Sequence, residues 1–169
     1  MMLNLTDFKR GDDRWADYYA AGTLWEQALR HDISVSFADA LGKTEETLAA
    51  ALPAINSKLR FMETNKEAVL LSTVDDAHLD ELAEEWLYEL VEDEDDTEVE
   101  LEDGSTVPVE VTPERFMESL FPVAFGFDFK KSTAQCSAYL ELLCEPDYFA
   151  GHRIHIKISE ENEISCDGI

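Results

Sequence analysis

The side chains best placed to do chemistry are carboxylates. Asp80, Glu81, Glu84, Glu85 and Glu89 recur at helical spacing, and the run Glu92-Asp93-Glu94-Asp95-Asp96 follows them. Residues 67–114 hold 19 acidic residues and no Lys or Arg, three quarters of the chain's formal net charge of −25. Such a field attracts cations and basic proteins and repels phosphates and anionic lipid, which argues against direct nucleic-acid or membrane binding. Tyr88 and Trp86 stand among these acids as candidate aromatic anchors for a partner, although Trp86 also falls on an apolar stripe. Calcium binding of the EF-hand type needs Gly at position six and Glu at position twelve of its loop. Counted from Asp93, position six is Glu98, so the pattern fails.

The other reactive residue types give less. His152 and His155 lie three apart in an alternating segment, which sends them to opposite faces of a strand, and His31 and His78 stand alone. Arg153, His155 and Lys157 share the polar face of that segment, a solvated face or a small anion-compatible patch. Cys136, Cys144 and Cys166 form neither a disulfide framework nor a C-x-x-C pair and read as reduced thiols. The nucleophile elbow, the phosphate loop, the dinucleotide fingerprint and the H-E-x-x-H zinc motif are all missing from the sequence, so no catalytic residue, cofactor or metal site is assigned. With 38 acids in the chain, a carboxylate pair for hydrolysis picks out nothing. The most distinctive local feature is Pro146-Asp147-Tyr148-Phe149-Ala150-Gly151-His152: Pro and Asp start a turn, Gly151 permits positive φ, and Asp147, Tyr148 and His152 are candidate recognition residues.

Elements must hold these groups in place. The chain of 169 residues has 45% hydrophobic residues and only 12 Gly and Pro, a globular composition in which about 70% of the unfolded surface can be buried. It lacks an apolar run long enough to span a membrane and an N-terminal secretory pattern, and so reads as soluble and cytoplasmic. Trp15, Tyr18, Tyr19, Gly22, Trp25, Ala28 and Leu29 recur at helical spacing behind Asp12 or Asp13 as cap, which predicts a first helix. Residues 33–41 suit a short strand or a helix equally. Thr44 caps a helix with Leu48, Leu52, Ile55, Leu59 and Met62 as its buried stripe, kinked or restarted at Pro53. Leu79, Leu82, Ala83, Trp86, Leu87 and Leu90 define the acidic helix, whose acids fill the opposite, wet face. A mobile acidic connection is expected at Glu92–Asp96, then a hairpin turning at Asp103-Gly104. Thr112-Pro113-Glu114 starts a short helix, and alternating runs at 123–129, 136–142, 154–158 and from Ile164 predict an antiparallel meander. The expected class is α+β, a helical region over 1–96 packed on a sheet region over 97–169, the two forming one compact unit.

The C-terminal third, with Asp103-Gly104, Thr112-Pro113-Glu114-Arg115-Phe116 and Cys144-Glu145-Pro146-Asp147-Tyr148-Phe149-Ala150-Gly151-His152-Arg153-Ile154, resembles a bacterial family of small uncharacterised proteins. That family closes on a D-Y-F-x-G-H-x-I strand-turn-strand and a final I-x-x-x-G-[LI]. The resemblance covers residues 98–169 well and the helical half loosely. It implies a shared fold, a bacterial cytoplasmic setting and an immunity-like neighbourhood, and it transfers no catalytic residue.

Charge and resemblance together favour a non-enzymatic binding or inhibitor protein of immunity type that meets a basic protein partner through Asp80, Glu81, Glu84, Glu85, Glu89 and Tyr88. The competing readings are a ligand-binding or enzymatic accessory domain with its site at the 147–152 turn, and a DNA-mimic inhibitor. A homo-oligomer formed through a sheet edge is compatible with either.

Overall fold

The computed structural model describes residues 1–11, 15–93, 96–102 and 104–169. Asp12 and Asp13, Glu94 and Asp95 of the acidic run, and Asp103 of the hairpin turn lie outside the described residues.

The strands are β1 Phe8–Arg10, β2 Tyr18–Ala20, β3 Thr23–Leu24, β4 Gln27–Ala28, β5 Ile33–Phe37, β6 Glu98–Glu100, β7 Thr106–Pro108, β8 Leu120–Phe129, β9 Ser137–Cys144, β10 Ile154–Ile158 and β11 Ile164–Gly168. The helices are α1 Glu45–Thr64, α2 Lys66–Asp75, α3 Leu79–Tyr88 and α4 Pro113–Ser119. Seven strands form one mixed sheet in the order β1-β2-β5-β8-β9-β10-β11, antiparallel except where β5 runs parallel to β8. β3-β4 and β6-β7 are separate two-stranded hairpins.

This corrects the expected architecture of a helical N-terminal half over a C-terminal meander. The meander β8 to β11 exists, but the N-terminal segment adds three strands to it, and the helices fall in the middle of the chain between β5 and β8. The first helix does not form. Its spacing is met by Tyr18 and Ala20, which point inward from β2, and by a β-hairpin whose two-residue turn is Trp25-Glu26. Both turn residues have positive φ, 54° and 66°, the backbone of a tight hairpin turn that usually calls for Asn or Gly. Tertiary contacts hold it there. The Trp25 backbone N–H donates to Glu63 Oε2 at 3.1 Å, its indole Nε1–H donates to the Met62 carbonyl at 3.0 Å, and Lys66 Nζ lies 5.4 Å from the ring centroid.

The sheet is two-sided. Val35, Phe37, Phe125, Phe127, Phe129, Leu140, Leu142, Ile154, Ile156 and Ile158 alternate on the buried face and share one core with the helices. The other face carries Ser34, Tyr139, Glu141, His155 and Lys157, and there Tyr139 lies across Gly126 to place its hydroxyl 2.6 Å from Ser34 Oγ. A Cβ on Gly126 would collide with both side chains, so glycine is required by this close approach.

Helix α1 starts as expected, with Thr44 Oγ1 accepting from the Thr47 N–H at 3.2 Å, and it runs on through Pro53, whose ring is on the exposed side. Its buried Lys58 donates to the Ser159 carbonyl at 2.7 Å and to Asn162 Oδ1 at 2.6 Å, tying the helix to the β10-β11 turn. Thr112 caps α4 with Pro113 in its first turn.

Candidate functional site

Three separate segments meet at one end of the sheet: α3, the β6-β7 hairpin and the turn between β9 and β10. Apolar packing brings them together. Trp86 of α3 stands edge-on to Phe149 at 5.4 Å and to His152 at 6.0 Å between ring centroids. Phe116 of α4 lies 6.2 Å from Tyr148 and 6.0 Å from Phe149, so the two aromatic residues of the turn plug the core rather than project from it.

The turn itself is built by its own polar groups. Asp147 Oδ1 accepts the Gly151 N–H at 2.9 Å, the His152 N–H donates to the Phe149 carbonyl at 3.0 Å, and Ala150 and Gly151 take φ of 50° and 80°. The permissive backbone inferred at Gly151 is therefore used. Tyr148 is 4% exposed and Phe149 fully buried, whereas His152 is at the surface against Trp86.

The carboxylates of α3 divide into two groups. Glu81, Glu85 and Glu89 lie at successive i, i+4 positions and are exposed, with Tyr88 beside them at 59% exposure. Asp80 and Glu84 do not share that surface. Asp80 is buried next to Leu79 and Ala83 on the inner side of the helix, and its Oδ1 has no hydrogen-bond partner. Glu84 is half-buried and its Oε2 accepts the Val111 N–H at 3.2 Å, holding the segment that leads into α4. The acid-bearing face is thus narrower than the sequence spacing implied, because the buried arc of α3 reaches round to positions 80 and 84.

Where α3 ends, the three segments enclose a cleft of about 170 Å³. Its apolar walls are Trp86, Leu90, Leu101 and Ala150, Tyr148 closes it, and Glu89, Glu102 and Asp147 rim it. Among the described residues no Lys or Arg pairs with any of these three carboxylates. The cleft joins the acidic helix to the 147–152 turn, two features that were separate in sequence. Leu101, Glu102 and Ala150 carry no residue type or spacing that marks them as site residues in the sequence. Glu102 continues the acidic alternation of Glu98 and Glu100 along the hairpin, the single pattern in the sequence that touches it.

The cations of the open sheet face are engaged locally. On the open sheet face Arg153 pairs with Glu141 and Lys157 with Asp167, while His155 Nδ1 lies 4.0 Å from Glu141 and Arg153 Nη2 3.1 Å from His31 Nε2. The basic face read from the Arg153, His155 and Lys157 alternation is therefore neutralised by its own carboxylates. Among the described residues no group of three or more His, Cys, Asp or Glu is placed to hold a metal ion. Burial pushes the Cys136 thiol up to about 11 and the Cys144 thiol to about 12, so neither is an activated nucleophile. No helix among the described residues is long and apolar enough to cross a membrane.

Comparison with curated proteins and with solved structures returns no match. A family model does match, over residues 11–169, and so takes in β2 to β5 and the helices as well as the C-terminal third. The chain belongs to the DUF2262 family, described as uncharacterized protein conserved in bacteria.

Proposed function

We propose that the protein is a non-enzymatic binding protein that captures a basic protein partner through its acidic surface, in the manner of an inhibitor or immunity protein. One observation carries the reading. The exposed carboxylates Glu81, Glu85 and Glu89 stand at i, i+4 spacing with no basic side chain paired to them among the described residues, although like charges at that spacing weaken a helix. Lys43, Lys130, Lys131, Arg153 and Lys157 pair with acids outside α3, so the negative field of α3 is left for an external cation. A field of this kind steers association, raising on-rates from a neutral value of about 10⁵–10⁶ M⁻¹s⁻¹ toward about 10⁸–10⁹ M⁻¹s⁻¹ at low salt.

The reading of a small-molecule or catalytic site at the turn is less well supported. Asp147 already accepts a backbone hydrogen bond, Tyr148 is buried, and the cleft of about 170 Å³ is smaller than the roughly 300–1,000 Å³ of ordinary ligand sites. The test is stopped-flow association with a lysine-only peptide at low and high salt, comparing wild type with the Glu81→Lys, Glu85→Lys, Glu89→Lys variant. Loss of binding and of its salt dependence is expected, and unchanged binding by the folded variant would overturn the reading.

A further inference from the structure

We infer that the open face of the seven-stranded sheet is a self-association surface, on which a second copy of this chain packs face to face. The inference stands apart from the acidic-surface reading, because α3 packs into the core on the opposite, buried face.

The extent of the face follows from the register. One row runs straight across the sheet, from Lys9 and Tyr19 through Ser34, Gly126 and Tyr139 to Lys157. At about 3.3 Å per residue and about 4.8 Å between neighbours, the seven strands tile about 600 Å² before side-chain relief is counted. Specific interfaces bury about 600–1,000 Å² on each partner, so this face alone is large enough for a stable dimer.

Charge selects the occupant. Two chains of net charge −25 repel each other, so a second copy is admitted where carboxylates are compensated. The open face meets that condition. Arg153 pairs with Glu141, Lys157 with Asp167 and Lys130 with Asp128, and Lys9 adds a cation at the β1 edge. Acids and bases stand side by side, so a two-fold partner brings bases to acids and acids to bases, the self-complementarity that a symmetric dimer requires. A strongly basic partner finds a better field on α3, and a strongly acidic one meets Asp128, Glu141 and Asp167.

Aromatic side chains supply the anchors. Tyr139 is 41% exposed in the middle of the row, and Trp15, whose carbonyl accepts from Ser36 Oγ of the same face at 3.3 Å, is 75% exposed. Trp and Tyr are the residues on which interfaces concentrate their binding energy.

The test is sedimentation equilibrium of the intact protein from about 1 to about 100 µM, at about 50 mM and about 500 mM salt. The expected species is a dimer whose dissociation constant stays level or falls as salt screens the residual repulsion between two acidic chains. Trp15→Glu and Lys157→Glu each put like charges on both copies of the face and should weaken the dimer about tenfold or more. Both positions are exposed, so circular dichroism should match wild type and loss of dimer is not loss of fold. Reversing Glu81, Glu85 and Glu89 to Lys should leave the dimer intact. A monomer at about 100 µM overturns the inference. So does a dimer that salt dissociates or that the α3 reversal abolishes, since its contact is then the acidic helix. A dimer indifferent to both Trp15→Glu and Lys157→Glu overturns it as well, placing the contact away from the open face.

Discussion

Replacing Glu85 by lysine separates an acidic stripe retained for binding from one that merely keeps the chain in solution. Glu85 is exposed in the middle of α3, four residues after Glu81 and four before Glu89. In the wild type both neighbours repel it. In the Glu85→Lys variant both neighbours attract the new side chain, and the pair that Glu81 makes with the introduced lysine has the favourable orientation, with the acid N-terminal to the base. Each i, i+4 pair carries about 0.2–0.5 kcal/mol in either sign, so reversing two pairs amounts to about 1 kcal/mol of added stability. For a chain of 169 residues that is about 2–4 °C in Tm. Thermal and urea unfolding at low ionic strength measure it. Repeating them near 1 M salt, where the Debye length falls to about 3 Å, should erase the gain. The same variant should bind a basic partner more slowly, because the field that steers the encounter is weakened. Stability and binding therefore move in opposite directions. A variant that is destabilised, or whose gain survives high salt, would refute the reasoning.

Other consequences follow from the core and the sheet. Cys136 and Cys144 keep their protons in the folded state up to about pH 11 and 12, whereas the unfolded chain loses them near 9.0, so the folded state binds more protons across that window. Stability should then fall as pH rises above 9, by about 1.4 kcal/mol per pH unit for each thiol, and urea midpoints at pH 8 and 10.5 should show a slope that Cys136→Ala with Cys144→Ala removes. Lys58, pushed down by its burial, acts in the opposite sense, so the difference between wild type and double variant is the quantity to read. Gly126→Ala should cost about 1–3 kcal/mol by driving Tyr139 and Ser34 apart, and adding Tyr139→Ser should recover part of it in denaturant titrations. Glu26→Gly should raise stability by up to about 1 kcal/mol, because a residue with φ of 66° is relieved of left-handed strain, and an unchanged or lower Tm would contradict the turn geometry.

Features whose cause is local were legible in the sequence. Thr44 and the Thr112-Pro113 pair announce α1 and α4 because a cap is decided within four residues. The alternation of Ile154, Ile156 and Ile158 announces a strand because the intervening face of β10 is open, and that of Phe125, Phe127 and Phe129 because their side of β8 is the core side. The N-terminal strands were hidden for a physical reason. β2, β3 and β4 have two or three residues each, too few to establish alternation, and the turn between β3 and β4 uses Trp25-Glu26, held by Glu63 and Met62 of a distant helix. The parallel pairing of Ile33–Phe37 with β8 joins segments separated by all four helices, and no local pattern encodes it.

The candidate site was half legible. Glu81, Glu85, Glu89 and Tyr88 lie on the surface as their spacing implies, but the same periodicity cannot say how wide the buried arc is, and that arc takes Asp80 and Glu84. The cleft depends on three segments converging, so Leu101, Glu102 and Ala150 acquire a role only in the folded chain.

The central claim is that the uncompensated carboxylates of α3 exist to meet a cationic partner. The most direct measurement is the association rate of the intact protein with a lysine-only peptide, taken at about 50 mM and about 500 mM salt for wild type and for the triple charge reversal of Glu81, Glu85 and Glu89. The account predicts fast association by wild type that slows steeply with salt, and slow association by the variant with little salt dependence. Equal rates and equal salt slopes for two folded proteins would contradict it.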